Sequence, residues 1–99
     1  MGKLVRDRIP EIIRRNGGDP AVTVLGETEY RAALRDKLFE EAGELAEATP
    51  EEVAGEIADV LEVLRALAAV HGHGWADIER VSLAKREERG GFTDRLYLR

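Results

Sequence analysis

Two long stretches of helical periodicity, separated by a threonine and a proline, limit most strongly how this chain folds. Apolar side chains recur every three or four positions from residue 28 to residue 48, and the same spacing returns from residue 50 to residue 71. Between the two stretches, Thr49, Pro50 and Glu52 are typical of a helix N-terminus, where threonine and glutamate side chains satisfy free backbone N–H groups. We therefore predict two long antiparallel helices, a helical hairpin, with the second helix starting at Pro50.

Shorter elements flank this hairpin. A short first helix is predicted before the hairpin. Pro10 is typical of a position near the start of a helix, and Asn16-Gly17-Gly18 of its end. A fourth helix is predicted over residues 75–89, ended by Gly90-Gly91. Residues 21–25 are predicted to form a small strand or extended segment, and residues 92–99 an irregular or extended tail. The fold class is all-α.

The length of 99 residues predicts one domain, residues 1–99, with a modest hydrophobic core. The second long helix carries an apolar arc wider than one neighbouring helix covers, so part of that arc should face another subunit. We therefore expect a homodimer or tetramer in which hairpins from different chains complete a four-helix bundle.

Composition excludes several classes of function. The chain has no cysteine, which rules out disulfides, thiolate metal sites and a cysteine nucleophile. Neither a signal-like start nor an apolar run of membrane-spanning length is found, so we expect a cytoplasmic protein without a membrane partner. The formal net charge of -5 argues against binding a nucleic-acid polymer.

The acidic residues are concentrated in the hairpin. Residues 27–62 contain twelve acids and three bases, a local charge of -9, whereas residues 1–26 and 63–99 each carry +2. Most charge runs are solvated helix faces. Two of these acids, however, fall at apolar positions. On a helical wheel Glu41 lies inside the apolar stripe of its helix and Glu56 inside that of the partner, with Glu44 and Asp59 at the edges.

Four carboxylates at one apolar seam must protonate, pair with bases or bind a cation, because unpaired buried charges cost several kcal/mol each. One interpretation is that they pair with arginines from the flanks or from another subunit. The other is a hard divalent cation, Mg²⁺ or Mn²⁺, which prefers oxygen ligands and commonly joins protein carboxylates to substrate phosphates.

Two acidic motifs resemble those of the MazG-like all-α nucleotide pyrophosphohydrolase superfamily. Glu40-Glu41-Ala42-Gly43-Glu44 is similar to its EExxE motif, and Glu56-Ile57-Ala58-Asp59 to its ExxD motif. Residues 3–10 and 85–92 resemble short single-domain members, so the likeness covers nearly the whole chain. The resemblance implies hydrolysis of a nucleoside triphosphate, or a related nucleotide, to the monophosphate and pyrophosphate with Mg²⁺, in nucleotide-pool house-cleaning.

By the same resemblance, the metal ligands are Glu41, Glu44, Glu56 and Asp59. The run from Lys37 to Glu44 also resembles phosphoribosyl-ATP pyrophosphohydrolase of histidine biosynthesis, which remains an alternative. A non-catalytic nucleotide-binding or helical interaction module is a third interpretation.

The remaining charged residues can serve such a reaction. Either Glu44 or Glu40 is a candidate for the base that accepts a proton from the attacking water. Basic residues that could hold the phosphates are Lys37, Lys85, Arg89 and Arg6. Arg89 is the preferred one, since it precedes two glycines and Phe92, which can stack on a base or ribose.

Overall fold

A computed structural model describes residues 2–99, which form four helices and no strand. The helices are α1 (Ile9–Arg15), α2 (Glu27–Ala46), α3 (Val53–Val70) and α4 (Trp75–Arg89). The all-α class and the number of helices are as predicted. None of the described helices is long and apolar enough to cross a membrane.

Local signals set both ends of α1 and the C-terminus of α4. Pro10 lies in the first turn of α1, and Asn16 caps its C-terminus. Gly90, at φ +82°, ends α4 in a conformation that favours glycine, and its N–H donates to the carbonyl of Arg86 at 2.7 Å. The predicted bounds of α4 are confirmed.

The start of α3 was predicted three residues too early, at Pro50. Residues 50–52 form a turn, and the regular helix begins at Val53. Half of the expected capping arrangement is present, since the Thr49 N–H donates to Glu52 Oε1 at 2.9 Å. The carbonyl of Thr49 also accepts from the Glu52 N–H at 2.9 Å, which tightens the turn ahead of the helix.

Of the two alternatives predicted for residues 21–25, a small strand or an extended segment, the strand is wrong. These residues have neither helical nor strand structure, and Val22 and Val24 are exposed. A β-branched segment becomes a strand only beside another strand, and the described part of the chain supplies none. Residues 92–99 are irregular, as expected, with a turn around Thr93 and Asp94.

The chain divides into two compact units, one running through Leu67 and the other Ala68–Arg99. In the first unit, Leu34 of α2, only 2% exposed, and Val63 of α3 form the buried centre of the hairpin. Glu41, late in α2, lies beside Glu56 and Asp59, early in α3, as an antiparallel hairpin requires. In the second unit Ala68 is buried, and Trp75 and Ile78 of α4 are half-buried.

Candidate metal centre and basic clefts

Three carboxylates from the two long helices converge in the first unit. Glu41 comes from α2, and Glu56 and Asp59 come from α3, where a spacing of three residues places both on one face. One oxygen atom from each lies within 4.8 Å of one from each of the other two. Such a group can hold a metal ion, and the chemistry of its donors, all carboxylate oxygens, suits a hard divalent cation.

Two oxygen atoms of this acidic cluster (Glu41, Glu56 and Asp59) are buried without a hydrogen-bond partner among the described residues. They are Glu41 Oε2 and Glu56 Oε2. The whole of Glu41 is only 7% exposed. An unsatisfied buried acceptor costs about 1–3 kcal/mol, and more when it is charged. A cation at the cluster would satisfy both oxygens, so the residues present fit a metal.

Two members of the acidic cluster also contact bases. Lys37 Nζ lies 3.2 Å from Glu41 Oε1 and 3.6 Å from Oε2 of Glu40. Arg6 Nη2 donates to Asp59 Oδ1 at 2.7 Å. No base pairs with Glu56 in the structure of residues 2–99. The basic partners therefore neutralise part of the cluster and leave Glu56 unpaired.

Two carboxyl groups, one in the acidic cluster and one beside it, have raised pKa values. Burial of its carboxyl group, followed by repulsion from Asp59 and Glu41, raises the pKa of Glu56 above 4.5. The pKa of Glu44 is raised as well, first by the hydrogen bond that its protonated form makes with Glu41 and then by the negative charge of Glu41. Glu44 is exposed and lies outside the acidic cluster, so its role as a ligand stays a prediction.

A cavity of about 260 Å³ adjoins the acidic cluster. Glu41 and Asp59 form part of its wall, with Lys37 and Arg6 nearby, and apolar side chains such as Leu34 line the rest. An anionic ligand with an apolar portion would suit such a lining. Sequence reasoning does not single out Tyr30, whose apolar position indicates only packing, although the structure adds it to this wall.

The other predicted phosphate ligands lie in the second unit. Lys85 and Arg89 line a cleft of about 890 Å³ along α4, together with Arg86 and Phe92. The structure records no ion pair for either Lys85 or Arg89 within residues 2–99. Phe92, in the same cleft, is almost fully exposed. The expectation that this cleft serves the acidic cluster stays a prediction.

Comparison with known proteins finds a relative of part of the chain. The chain is 50% identical over 54 residues to an uncharacterised protein of Mycolicibacterium smegmatis, and the match covers 54% of this chain and 55% of the relative. The chain thus spans about half the length of the relative it matches. No family model matches the chain. No solved structure matches it either.

Proposed function

We propose that the protein is a Mg²⁺-dependent nucleotide pyrophosphohydrolase, which converts a nucleoside triphosphate or related nucleotide to the monophosphate and pyrophosphate. One observation carries this proposal: three carboxylates from two helices converge, and two of their buried oxygens have no partner. The resemblance of the two acidic motifs to MazG-like enzymes supports the same reaction, as does the cavity beside them. Nucleotide-pool house-cleaning is the role this implies.

Glu41, Glu56 and Asp59 would hold the cation, with Glu44 as a fourth candidate ligand. A bound Mg²⁺ supplies charge neutralisation for the phosphates and lowers the pKa of water. Water attacks the phosphorus next to the sugar, and the bond from that phosphorus to the departing pyrophosphate breaks. The proton of the attacking water passes to a carboxylate of the chain.

Glu44 is the better candidate for this base than Glu40. Two bases contact Glu40, Lys37 at 3.6 Å and Lys3 at 3.9 Å, so its carboxylate is already held by cations. Glu44 has no ion pair among the described residues, and its neighbour Glu41 raises its pKa. A carboxylate with a raised pKa accepts a proton more readily at neutral pH.

Cationic side chains for the phosphates are available in both units. Lys37 and Arg6 line the cavity beside the acidic cluster, and Lys85 and Arg89 line the cleft of α4. Arginine suits this role because its guanidinium binds phosphate oxygens bidentately. Phe92 offers an exposed ring for stacking on a base.

An exposed apolar stripe on α3 supports assembly into a homodimer or tetramer. Ile57, Leu61 and Leu64 follow one another by four and three residues and therefore share a helix face, yet each is more than a third exposed. A second copy of the hairpin would cover this stripe and complete a four-helix bundle.

The ion pairs of the acidic cluster favour a second candidate, a non-catalytic module. If Lys37 and Arg6 permanently neutralise Glu41 and Asp59, the cluster is a structural network that binds a nucleotide or a basic partner without cleaving it. This alternative predicts that the chain folds and binds but does not turn over any nucleotide.

The two functions are separated by a panel of nucleoside triphosphates, modified nucleotides and phosphoribosyl-ATP, incubated with and without Mg²⁺. Phosphate is measured before and after adding inorganic pyrophosphatase. We expect Mg²⁺-dependent pyrophosphate from at least one nucleotide, and turnover of phosphoribosyl-ATP alone would select the histidine-pathway alternative. Orthophosphate formed without pyrophosphatase would contradict the reaction, and no turnover of any member would favour the binding module.

A further inference from the structure

The non-helical segment before α1 lies against the acidic cluster. We call residues 3–8 the N-terminal strap. Four of its residues, Leu4 to Asp7, line the cavity that Glu41 and Asp59 also line. Within the strap, Arg6 donates a 2.7 Å hydrogen bond to Asp59 Oδ1 of the cluster. A guanidinium therefore occupies an oxygen of a residue that the proposed function assigns to a cation.

The backbone of Arg6 is tied to the start of α1, whereas its side chain is largely open to solvent. The carbonyl of Arg6 accepts a 3.0 Å hydrogen bond from the N–H of Ile9, the first residue of α1, and Leu4 is half-buried. The Arg6 side chain is 53% exposed, and Asp59 is 41% exposed. Exposed ion pairs contribute little to stability, so breaking this one needs no change in the fold.

We propose that Arg6 is an exchangeable counter-ion of the metal centre. Without a divalent cation, its guanidinium neutralises Asp59. When a divalent cation binds the cluster, its double positive charge displaces the singly charged guanidinium from Asp59. Arg6 then turns to the anionic group of a ligand in the adjoining cavity. This inference rests on the proposed function and adds to it that one side chain couples cation binding to recognition of a phosphate-bearing ligand.

Charge and geometry favour Arg6 over the other bases for this exchange. Lys37 lies between Glu40 and Glu41, and its side chain is only 15% exposed, so it has less freedom to leave. Lys3 is on the same strap, but its partner is Glu40, which lies outside the acidic cluster. A guanidinium also presents two parallel donors to a phosphate, which an ammonium does not. Lys3 is therefore the matched control for a charge lost from the strap.

The exchange predicts opposite effects of one substitution on two ligands. Two calorimetric titrations are performed on the wild type, Arg6→Gln and Lys3→Gln. The first uses Mn²⁺ alone. The second uses the magnesium complex of pyrophosphate at saturating Mg²⁺. Arg6→Gln should bind Mn²⁺ about two- to fivefold more tightly, the factor that corresponds to losing a competing exposed ion pair. Its affinity for the pyrophosphate complex should fall about tenfold or more, as expected for losing hydrogen bonds to a charged group.

Lys3→Gln should change both affinities less than Arg6→Gln does. Arg6→Lys keeps the charge, so it should bind Mn²⁺ as the wild type does but still lose affinity for the pyrophosphate complex. If Arg6→Gln binds Mn²⁺ no more tightly than the wild type, or binds the pyrophosphate complex equally well, Arg6 only orients Asp59 and the exchange is refuted. That result leaves the proposed function intact as long as the wild type binds Mn²⁺. Absence of Mn²⁺ binding in the wild type would overturn both.

Discussion

Replacing Glu41 with glutamine distinguishes a metal ligand from a structural ion-pair partner. The substitution keeps the shape of this buried side chain and removes its charge. At an effective dielectric constant of about 20, the attraction of Lys37 across 3.2 Å is worth about 5 kcal/mol. Two effects oppose this attraction: repulsion from two neighbouring acids within 4.8 Å, and the cost of burying a charge on a side chain whose residue is only 7% exposed.

Because repulsion and desolvation both act against the attraction of Lys37, the metal-free Glu41→Gln variant should be at least as stable as the wild type. A gain of about 1 kcal/mol raises the melting temperature of a domain of this size by about 4–8 °C. The variant should also lose the response to Mg²⁺. A cation at ten times its Kd adds about 1.4 kcal/mol of stability to a protein that binds it, and the variant should show almost none of this gain.

Far-UV circular dichroism melts with and without Mg²⁺ measure the metal-free stability and the response to Mg²⁺. Pyrophosphate release measures the rate of the reaction. We expect the rate of Glu41→Gln to fall at least about 100-fold, equivalent to about 2.7 kcal/mol of transition-state stabilisation. Glu47→Gln is the matched control, because Glu47 is exposed and caps the C-terminus of the same helix. A lower metal-free melting temperature with an unchanged response to Mg²⁺ would refute the metal assignment and identify Glu41 as the partner of Lys37.

Three further predictions follow from the same structure. Because the pKa values of Glu44 and Glu56 are raised in the folded state, their contribution to metal-free stability is complete below about pH 4.5 and is lost as the pH rises through the raised values. Urea melts at a series of pH values test this, and a free energy of unfolding that rises over that range would contradict it. Leu34→Ala should destabilise the chain by about 2–4 kcal/mol in urea melts, and a loss below about 1 kcal/mol would show that Leu34 is not a core residue. Mixing inactive Glu56→Gln and Arg89→Ala subunits should restore activity if the site is shared between chains, and no recovery after verified exchange would place both residues within one chain.

The helical architecture could be predicted because its signals are local. Periodicity, a proline in the first turn of α1 and the glycine after α4 each act within a few residues. A strand at residues 21–25, one of the two alternatives expected there, depends on a distant partner, which no local signal specifies. The start of α3 differs for a related reason, since Thr49 and Glu52 form a turn of their own before the helix begins.

Part of the candidate site could also be predicted, because burial of a helix position follows from its phase. The wheel places Glu41 in the apolar stripe, and Glu41 is the buried acid. The pairing of Arg6 with Asp59, residues 53 positions apart, follows from tertiary packing alone, and no sequence pattern names the partner. Glu44 shares its phase with the predicted ligands, yet the structure leaves it exposed beside the acidic cluster.

A crystal structure of the protein grown with Mn²⁺ tests the central claim most directly, because anomalous scattering locates the ion independently of any assumed ligand. We predict one or more Mn²⁺ peaks bound to oxygens of Glu41, Glu56 and Asp59, with the guanidinium of Arg6 released from Asp59. At a saturating Mn²⁺ concentration, the absence of a peak at these carboxylates, with the Lys37 and Arg6 ion pairs retained, would contradict the account and leave the acidic cluster as a structural network.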